Sequence, residues 1–206
     1  MTITIHGTPK SRAIRAIWMA EELGLPYAHE PVDFRDGGTQ TDAYRALNDM
    51  GQVPTLQDGD FVLTESLAIN LYLAKKIGGP LAPRNLVEDA LMMKWTLFGA
   101  TQLEPCGLAV LMNSAALPED KRDPKLVDEN LAKAQRPLAH LDLALDHGKG
   151  HLVGDRFTAA DLNVGMCVYY FRTRPDAIAA HANVAAWWNA IKERPAFKRA
   201  MTIRGD

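Results

Sequence analysis

The sequence has little cysteine, little excess charge and no long apolar run. Cys106 and Cys167 are its two cysteines, and they show neither a CxxC pair nor metal-ligand spacing, which predicts reduced, buried thiols and no metal site. The formal net charge of −2 offers no basic surface for nucleic acid. No apolar stretch approaches the roughly 18 residues of a membrane helix, and the opening MTITIHGTPK lacks a signal-peptide pattern. We therefore expect a soluble cytoplasmic protein that binds neither nucleic acid nor membrane.

The first 34 residues carry a strand, a helix and a second strand. β-Branched residues alternate over residues 2–6, and a run with helical apolar spacing covers residues 12–23. Gly24 ends that run and Pro26 keeps it from resuming. Residues 27–34 again look extended, although Pro31 makes this an edge or interrupted strand. A β-α-β order of this length predicts a right-handed crossover and parallel pairing.

A hairpin and a helix follow. A short helix is predicted over residues 42–48, then a strand over 53–57, with Asp58-Gly59 as the two-residue turn. Pro54 cannot donate to a sheet ladder, so we place it at the start or edge of its strand, where a cis bond is one option. A helix is predicted over residues 65–77. The resulting order, βαβ–α–ββα, is typical of a thioredoxin-like domain.

The remainder of the chain reads as helices. Two glycines and two prolines within residues 78–85 mark a linker. Pro105 and Gly107 are expected to divide the apolar stretch 87–116, and Pro137 to bend the helix over 125–147. Thr158 to Asp161 has the spacing of a helix capping box, to which we assign a structural role. We predict an α/β thioredoxin-like domain at residues 1–78, a linker at 79–86 and an all-helical domain at 87–206.

Four segments carry a resemblance to a known family. HGTPKS at residues 6–11, GQVPTL at 51–56, TESLAI at 64–69 and FTAAD at 157–161 together resemble the glutathione transferase family, in its bacterial-type, serine-type, phi/theta-like branch. The resemblance covers nearly the whole chain. It implies the glutathione transferase fold, with an α/β thioredoxin-like N-terminal domain and an all-α C-terminal domain, and glutathione as co-substrate without a metal.

The resemblance implies where glutathione binds. Val53, before Pro54, would pair its backbone with the cysteinyl backbone of glutathione, as in strand augmentation. Ser66 at a helix start and Glu65 beside it would hold the γ-glutamyl carboxylate and ammonium. Gln52 would donate to a ligand carboxylate. The alternatives are structural: Pro54 only shapes a turn, Glu65 and Ser66 only cap a helix, and Gln52 is a solvated loop residue.

Ser11 is the predicted activator of the glutathione thiol. It lies between the first strand and the first helix, where its hydroxyl and the positive helix end would stabilise a thiolate. Thr8 on the same loop is the alternative donor, and helix capping is the structural alternative for Ser11. Serine-type relatives that the chain resembles often place a basic or histidine pair after the second strand to hold the glycine carboxylate, but residues 36–41 contain no lysine or histidine. Arg35, the nearest cation, and Gln40 are therefore the candidates for this role.

A second-substrate pocket is expected between the domains. It would be lined by Pro9, Leu103, Leu108 and Met112, whose alternative role is ordinary core packing. The resemblance implies a homodimeric detoxification enzyme that conjugates glutathione to small hydrophobic electrophiles. The alternatives are other glutathione-dependent chemistry (dehalogenation, ether cleavage, isomerisation or peroxide reduction) and a non-catalytic binding module of the same fold.

Overall fold

The computed structural model describes residues 3–205, which form two compact units. One unit contains the described residues up to Ala82 together with the segment from Glu193 onward, and the second is Pro83–Lys192. The elements of the first unit are β1 (Ile3–His6), α1 (Ala13–Leu23), β2 (Tyr27–Glu30), α2 (Asp42–Leu47), β3 (Thr55–Asp58), β4 (Phe61–Leu63), α3 (Ser66–Ile77) and, at the far end of the chain, α10 (Pro195–Arg204). The helices between them are α4 (Leu86–Phe98), α5 (Glu104–Leu111), α6 (Pro124–His147), α7 (Ala159–Val168), α8 (Pro175–Ala179) and α9 (Ala182–Glu193).

The four strands form one mixed sheet in the order β2-β1-β3-β4. β1 pairs in parallel with β2, and Ile5 lies opposite His29. β3 is antiparallel to β1 and to β4, and Ile5 lies opposite Leu56 on that side. The predicted parallel crossover and the thioredoxin-like order are confirmed. The strand predicted to begin at Thr2 is described from Ile3, since Thr2 lies outside the described residues.

The hairpin differs from the prediction by two residues at the start of its first strand and by one residue at its turn. β3 begins at Thr55, directly after Pro54, and the Val53-Pro54 peptide bond is cis. Asp58 still belongs to the ladder opposite Phe61, so the turn is Gly59-Asp60 rather than Asp58-Gly59. Asp58 is held there because its carboxylate accepts from the Tyr72 hydroxyl at 2.6 Å and also bonds Lys76, both on α3.

The apolar helical stretch predicted over residues 87–116 is divided as expected, and the division lies just before Pro105. The Glu104 N–H bonds to the Gly99 carbonyl, five residues back, which gives a wide π-type turn at Gly99–Leu103. Pro105 then occupies the first turn of α5, where its missing N–H has no cost. Pro137, by contrast, lies inside α6, which continues through it.

Asp161 is the buried anchor of the second unit. Its carboxylate accepts from the Thr158 N–H and hydroxyl at 2.9 Å each, and the predicted capping box at the start of α7 is present. Its other oxygen accepts from the Leu152 N–H and the Trp187 indole N–H, both at 3.1 Å. Burial raises the pKa of Asp161 and the four donors lower it. The group therefore ties α7 to a loop and to α9.

The last helix packs on α1 in the first unit. Arg194 forms a two-pronged ion pair with Glu22, with both N···O distances 2.7 Å. The rings of Phe197 and Trp18 meet edge to face, with centroids 5.0 Å apart. The sequence pattern predicts this segment as part of the all-helical domain, because no local sequence feature distinguishes α10 from the helices before it.

The two cysteines differ in burial. Cys167 is buried, as predicted, whereas Cys106 is half-exposed, and both thiols are free. Between residues 3 and 205, no helix is long and apolar enough to cross a membrane. Over the same residues, no three His, Cys, Asp or Glu side chains come together as a group that could hold a metal ion.

Candidate functional site

The Ser11 hydroxyl bonds to the first N–H of α1 and to its own loop. Its Oγ donates to the Thr8 carbonyl at 2.6 Å and accepts from the Ala13 N–H at 3.1 Å. A serine hydroxyl has one proton, so that proton is engaged inside the loop. The capping alternative is therefore present in the geometry, while the activation of a thiol by Ser11 stays a prediction.

Thr8 presents the other hydroxyl of this loop. Its backbone is fully used, because its N–H donates to the Val32 carbonyl at 2.8 Å and its carbonyl accepts from Ser11. The residue is 7% exposed. Within residues 3–205, the Thr8 hydroxyl makes no hydrogen bond. Of the two candidate donors, Thr8 is thus the one whose proton is uncommitted.

The segment before β3 is fixed by the side chains of Tyr44 in α2 and of Asn48, the residue that follows α2. The Gln52 carbonyl accepts from the Tyr44 hydroxyl at 2.7 Å and from the Asn48 amide at 2.8 Å. Both side chains also reach the hydroxyl of buried Thr55, at 3.0 and 3.2 Å. Because these groups are buried and mutually satisfied, they hold the chain rigidly just before Val53. The Gln52 side chain is left at the surface.

Val53 offers a backbone edge beside the Ser11 loop. It is half-exposed, and within the part of the chain described here its N–H and C=O have no hydrogen-bond partner. Gly7 lies against it: a Cβ on Gly7 would stand 2.9 Å from the Cβ atoms of Val53 and Ala13. Only glycine allows this approach, which brings the loop that carries Thr8 and Ser11 next to the free edge.

Ser66 and Glu65 form the start of α3. Ser66 is the first residue of this twelve-residue helix and is 4% exposed. Glu65 is exposed and has φ 66° and ψ 102°, a conformation that non-glycine residues rarely adopt. Such strained residues cluster at ligand sites. The helix start therefore combines backbone N–H groups, a hydroxyl and a carboxylate in a conformation suited to a zwitterion.

Arg15 contacts a candidate site residue and is absent from the sequence-based prediction. Its Nη1 donates to Ser66 Oγ at 3.2 Å, although the two residues are 51 positions apart. Its side chain lies in the buried face of α1 with Ile14 and Trp18. The signal that could have revealed it is a lone arginine inside an otherwise apolar helical run, since a buried charge needs a polar partner.

The two candidates for the glycine carboxylate are both engaged. Arg35 pairs with Asp33, with Nε 2.9 Å from Oδ1, and this bond lowers the pKa of Asp33 to about 2 and raises that of Arg35. Gln40 accepts from Arg45 at 3.1 Å. Its Nε2 lies 2.8 Å from where a Cβ on Gly51 would stand, so Gln40 borders the loop before Gln52.

The four residues predicted to line a pocket differ in burial. In the first unit, Pro9 is half-buried and its carbonyl accepts from Arg204 Nη1 at 3.3 Å. In the second unit, Leu103 is 0% exposed, whereas Leu108 and Met112 are half-buried. Leu103 thus has the burial of a core residue. The pocket itself stays a prediction.

Two family models match the chain in order. "Glutathione S-transferase, N-terminal domain" matches residues 1–75, and "Glutathione S-transferase, C-terminal domain" matches residues 90–195. Glutathione S-transferase 3 of Zea mays is 31% identical to the chain, over 97% of this chain and 93% of its own length. A glutathione S-transferase of Silene vulgaris is also 31% identical, over 99% of both chains.

Solved structures extend the likeness to three dimensions. The theta class glutathione S-transferase of Xanthomonas axonopodis pv. citri, solved with glutathione bound, is 35% identical with a TM-score of 0.87, over 97% of this chain and 96% of that chain. Maize glutathione S-transferase I, solved with an atrazine glutathione conjugate, is 30% identical with a TM-score of 0.90, over 100% and 99%. These relatives come from plants and a bacterium, and the bacterial-type branch stays a prediction. The chain belongs to the glutathione S-transferase family.

Proposed function

We propose that this protein is a glutathione transferase that joins the glutathione thiolate to small hydrophobic electrophiles. The observation that carries the proposal is the unpaired backbone edge of Val53, which lies against Gly7 of the loop that bears two hydroxyls. An extended peptide that pairs with this edge has its central residue beside that loop. Glutathione is such a peptide, with a thiol at its centre and a charged group at each end.

Each part of glutathione has a proposed partner in the first unit. The cysteinyl backbone pairs with the N–H and C=O of Val53, as an added strand pairs with a sheet edge. The γ-glutamyl carboxylate lies at the start of α3 with Ser66, and its ammonium faces Glu65. The Gln52 side chain donates to a carboxylate. At the glycine end, Gln40 borders the site, whereas Arg35 must first release Asp33.

The chemistry requires a thiolate at neutral pH. A free thiol has a pKa of about 8.5, and lowering it by ~2 units corresponds to about 2.7 kcal/mol. A hydroxyl that donates to the sulfur supplies part of this energy. Ser11 has to leave the Thr8 carbonyl in order to donate, whereas Thr8 has no bond to break. The thiolate then attacks the electrophilic carbon: a C–S bond forms, and with an aryl halide the C–halogen bond breaks and halide departs with its electron pair.

We also infer a cytoplasmic homodimer with a role in detoxification. Leu86, Met93 and Leu97 lie on one face of α4 and are 81%, 44% and 55% exposed. A face of this kind is suited to burial against a second copy of the chain. The two free cysteines are compatible with a reducing compartment. Sizing by light scattering is expected to give a dimer, and a clean monomer at micromolar concentration would contradict it.

Binding and turnover test the function separately. The protein is applied to immobilised glutathione, the ultraviolet absorbance of the bound thiolate is followed against pH, and conjugation of 1-chloro-2,4-dinitrobenzene is measured. We expect retention, a thiol pKa below that of free glutathione, and saturable turnover. S-Methylglutathione, which lacks the thiol, is the control and should compete for binding without reacting. Binding without turnover of any electrophile would favour a binding module, and no binding would exclude the proposal.

A further inference from the structure

Arg15 is a charged residue buried in the otherwise apolar part of α1. It is 2% exposed and lies within the part of α1, Ala13 to Ala20, in which every residue is buried. Removing a guanidinium from water costs free energy that only good hydrogen bonds and nearby polar groups offset. An arginine at such a position is therefore not explained by packing, and its contacts indicate what it does.

The contact that reaches the proposed ligand is the one to Ser66. Arg15 Nη1 lies 3.2 Å from Ser66 Oγ, on the first residue of α3. A guanidinium can only donate, so Ser66 Oγ is the acceptor in this bond. Among residues 3–205, the Ser66 hydroxyl has no other hydrogen-bond partner. Its own proton is thus left to be donated away from Arg15.

The contact between Arg15 and Ser66 favours negative charge beside the Ser66 hydroxyl. A hydroxyl that accepts from a cation becomes a better donor to an anion, because the bonds of a chain polarise one another. The positive end of α3 lies at the same residue. The guanidinium carries a delocalised positive charge, and burial weakens solvent screening around it. Hydroxyl, helix end and guanidinium all favour negative charge at this one point.

We propose that Arg15 is a positioning residue for the γ-glutamyl carboxylate: it orients the Ser66 hydroxyl and adds a buried positive charge behind it. The inference rests on the proposed function, since it assigns the part of glutathione that this helix start binds. It differs from a purely structural tie between α1 and α3. A residue that only joined α1 to α3 would stabilise the whole first unit, whereas a positioning residue acts on one carboxylate of the ligand.

The test compares two ligands that differ only in that carboxylate. Glutathione and γ-aminobutyryl-cysteinylglycine, which lacks the α-carboxylate, are titrated calorimetrically into the full-length protein and its variants. Arg15→Gln is expected to weaken glutathione binding about tenfold, the size of a charge-assisted hydrogen bond, and to change analogue binding less than about twofold. The KM for glutathione should rise while kcat at saturation stays close to that of the parent. Arg15→Lys, which keeps the charge, should recover part of the discrimination.

Two controls separate this role from simpler ones. Arg199→Gln removes the same charge from the same unit at an exposed arginine paired with Glu21, and it should leave the discrimination unchanged. In a double-mutant cycle, the variant that carries both Arg15→Gln and Ser66→Ala should bind glutathione little more weakly than either single variant does.

The possible outcomes distinguish the role of Arg15 from the proposed function. Equal weakening of both ligands in a folded Arg15→Gln protein would reduce Arg15 to a structural tie and overturn the inference, as would an equal loss of discrimination in Arg199→Gln. If Arg15→Gln fails to fold by circular dichroism, Arg15→Lys decides by the same ratio. A parent that binds glutathione and analogue equally well overturns the role of Arg15 but leaves the proposed function standing. A parent that binds neither ligand contradicts the proposed function itself.

Discussion

Ser11 Oγ donates its proton to the Thr8 carbonyl over 2.6 Å, so the two hydroxyl-bearing residues of the loop are coupled. The Ser11 hydroxyl holds the loop closed, while the Thr8 hydroxyl is uncommitted among residues 3–205. Because this bond ends on the Thr8 backbone, removing the Ser11 hydroxyl alters the setting of Thr8, whereas removing the Thr8 hydroxyl leaves the bond in place.

We expect Ser11 to turn from the Thr8 carbonyl to the sulfur when glutathione binds, so Ser11→Ala should raise the thiol pKa of bound glutathione by about 1 unit and lower kcat/KM about tenfold. The variant should also cost about 1 kcal/mol of stability, because the first N–H of α1 loses its acceptor. Thiolate absorbance against pH and steady-state kinetics measure the first effect, and urea unfolding the second. Thr8→Val is the matched variant, and it should keep the parent pKa. If the pKa rises in Thr8→Val instead, the role passes to Thr8.

Asp161→Ala should destabilise the protein by about 3 kcal/mol or more. Four donors converge on the carboxylate, from Thr158, Leu152 and Trp187, and the substitution leaves them buried without an acceptor. Chemical denaturation measures the loss. Asp176→Ala, at an exposed aspartate of the same unit, is the control and should stay within about 0.5 kcal/mol of the parent. Equal midpoints for the two variants would contradict the anchoring role.

Glu88 should give the stability of the protein a specific acid dependence. Its carboxylate accepts from Arg156 at 2.7 Å and from the Arg84 N–H at 2.8 Å, and chiefly the bond to Arg156 lowers its pKa from 4.5 to about 2. Its contribution is therefore present above about pH 4.5 and is lost as the pH falls towards 2. Solvent near the pair limits it to the order of 1 kcal/mol.

Glu88→Gln should accordingly lower stability at neutral pH and flatten its decline between these two pH values. Melting temperatures measured across the acid range check this. Glu129→Gln, at an exposed residue whose partner Lys125 is 3.9 Å away, should leave the slope unchanged. If the melting temperature of Glu88→Gln falls with acid as steeply as that of the parent, this explanation is contradicted.

Phe197→Ala should destabilise the protein by about 3 kcal/mol, because it leaves a cavity against the fully buried Trp18 ring. Lys198→Ala, at the neighbouring exposed position, should cost less than about 0.5 kcal/mol. Chemical denaturation followed by circular dichroism measures the loss. A loss as small in Phe197→Ala as in Lys198→Ala would show that α10 contributes little there.

The local elements could be predicted because their signals are local. Gly24, which adopts φ 60° at the end of α1, and Pro26 after it delimited the first helix from composition alone. The second strand ended early, at Glu30, because Pro31 follows it. The hairpin turn was misplaced by one residue because the partners that keep Asp58 in the ladder lie on α3, 14 and 18 positions away.

The site was harder to predict where its partners lie far apart in sequence. Val53, Glu65 and Ser66 carry a short motif, and their neighbours in space are now visible. Arg15 carries none, because its meaning comes from being buried beside Ser66, and burial is a property of the folded chain. The hydrogen bond between Ser11 and Thr8 depends on a hydroxyl rotation that no sequence pattern encodes.

Helix α10 also bears on the order in which the molecule can be completed. A ribosome delivers the chain from its N-terminus, and domains generally fold as they emerge. Trp18 and Glu22 are made well before their partners Phe197 and Arg194, and Glu22 precedes Arg194 by 172 positions. Part of α1 therefore stays uncovered until the second unit and then α10 have been made.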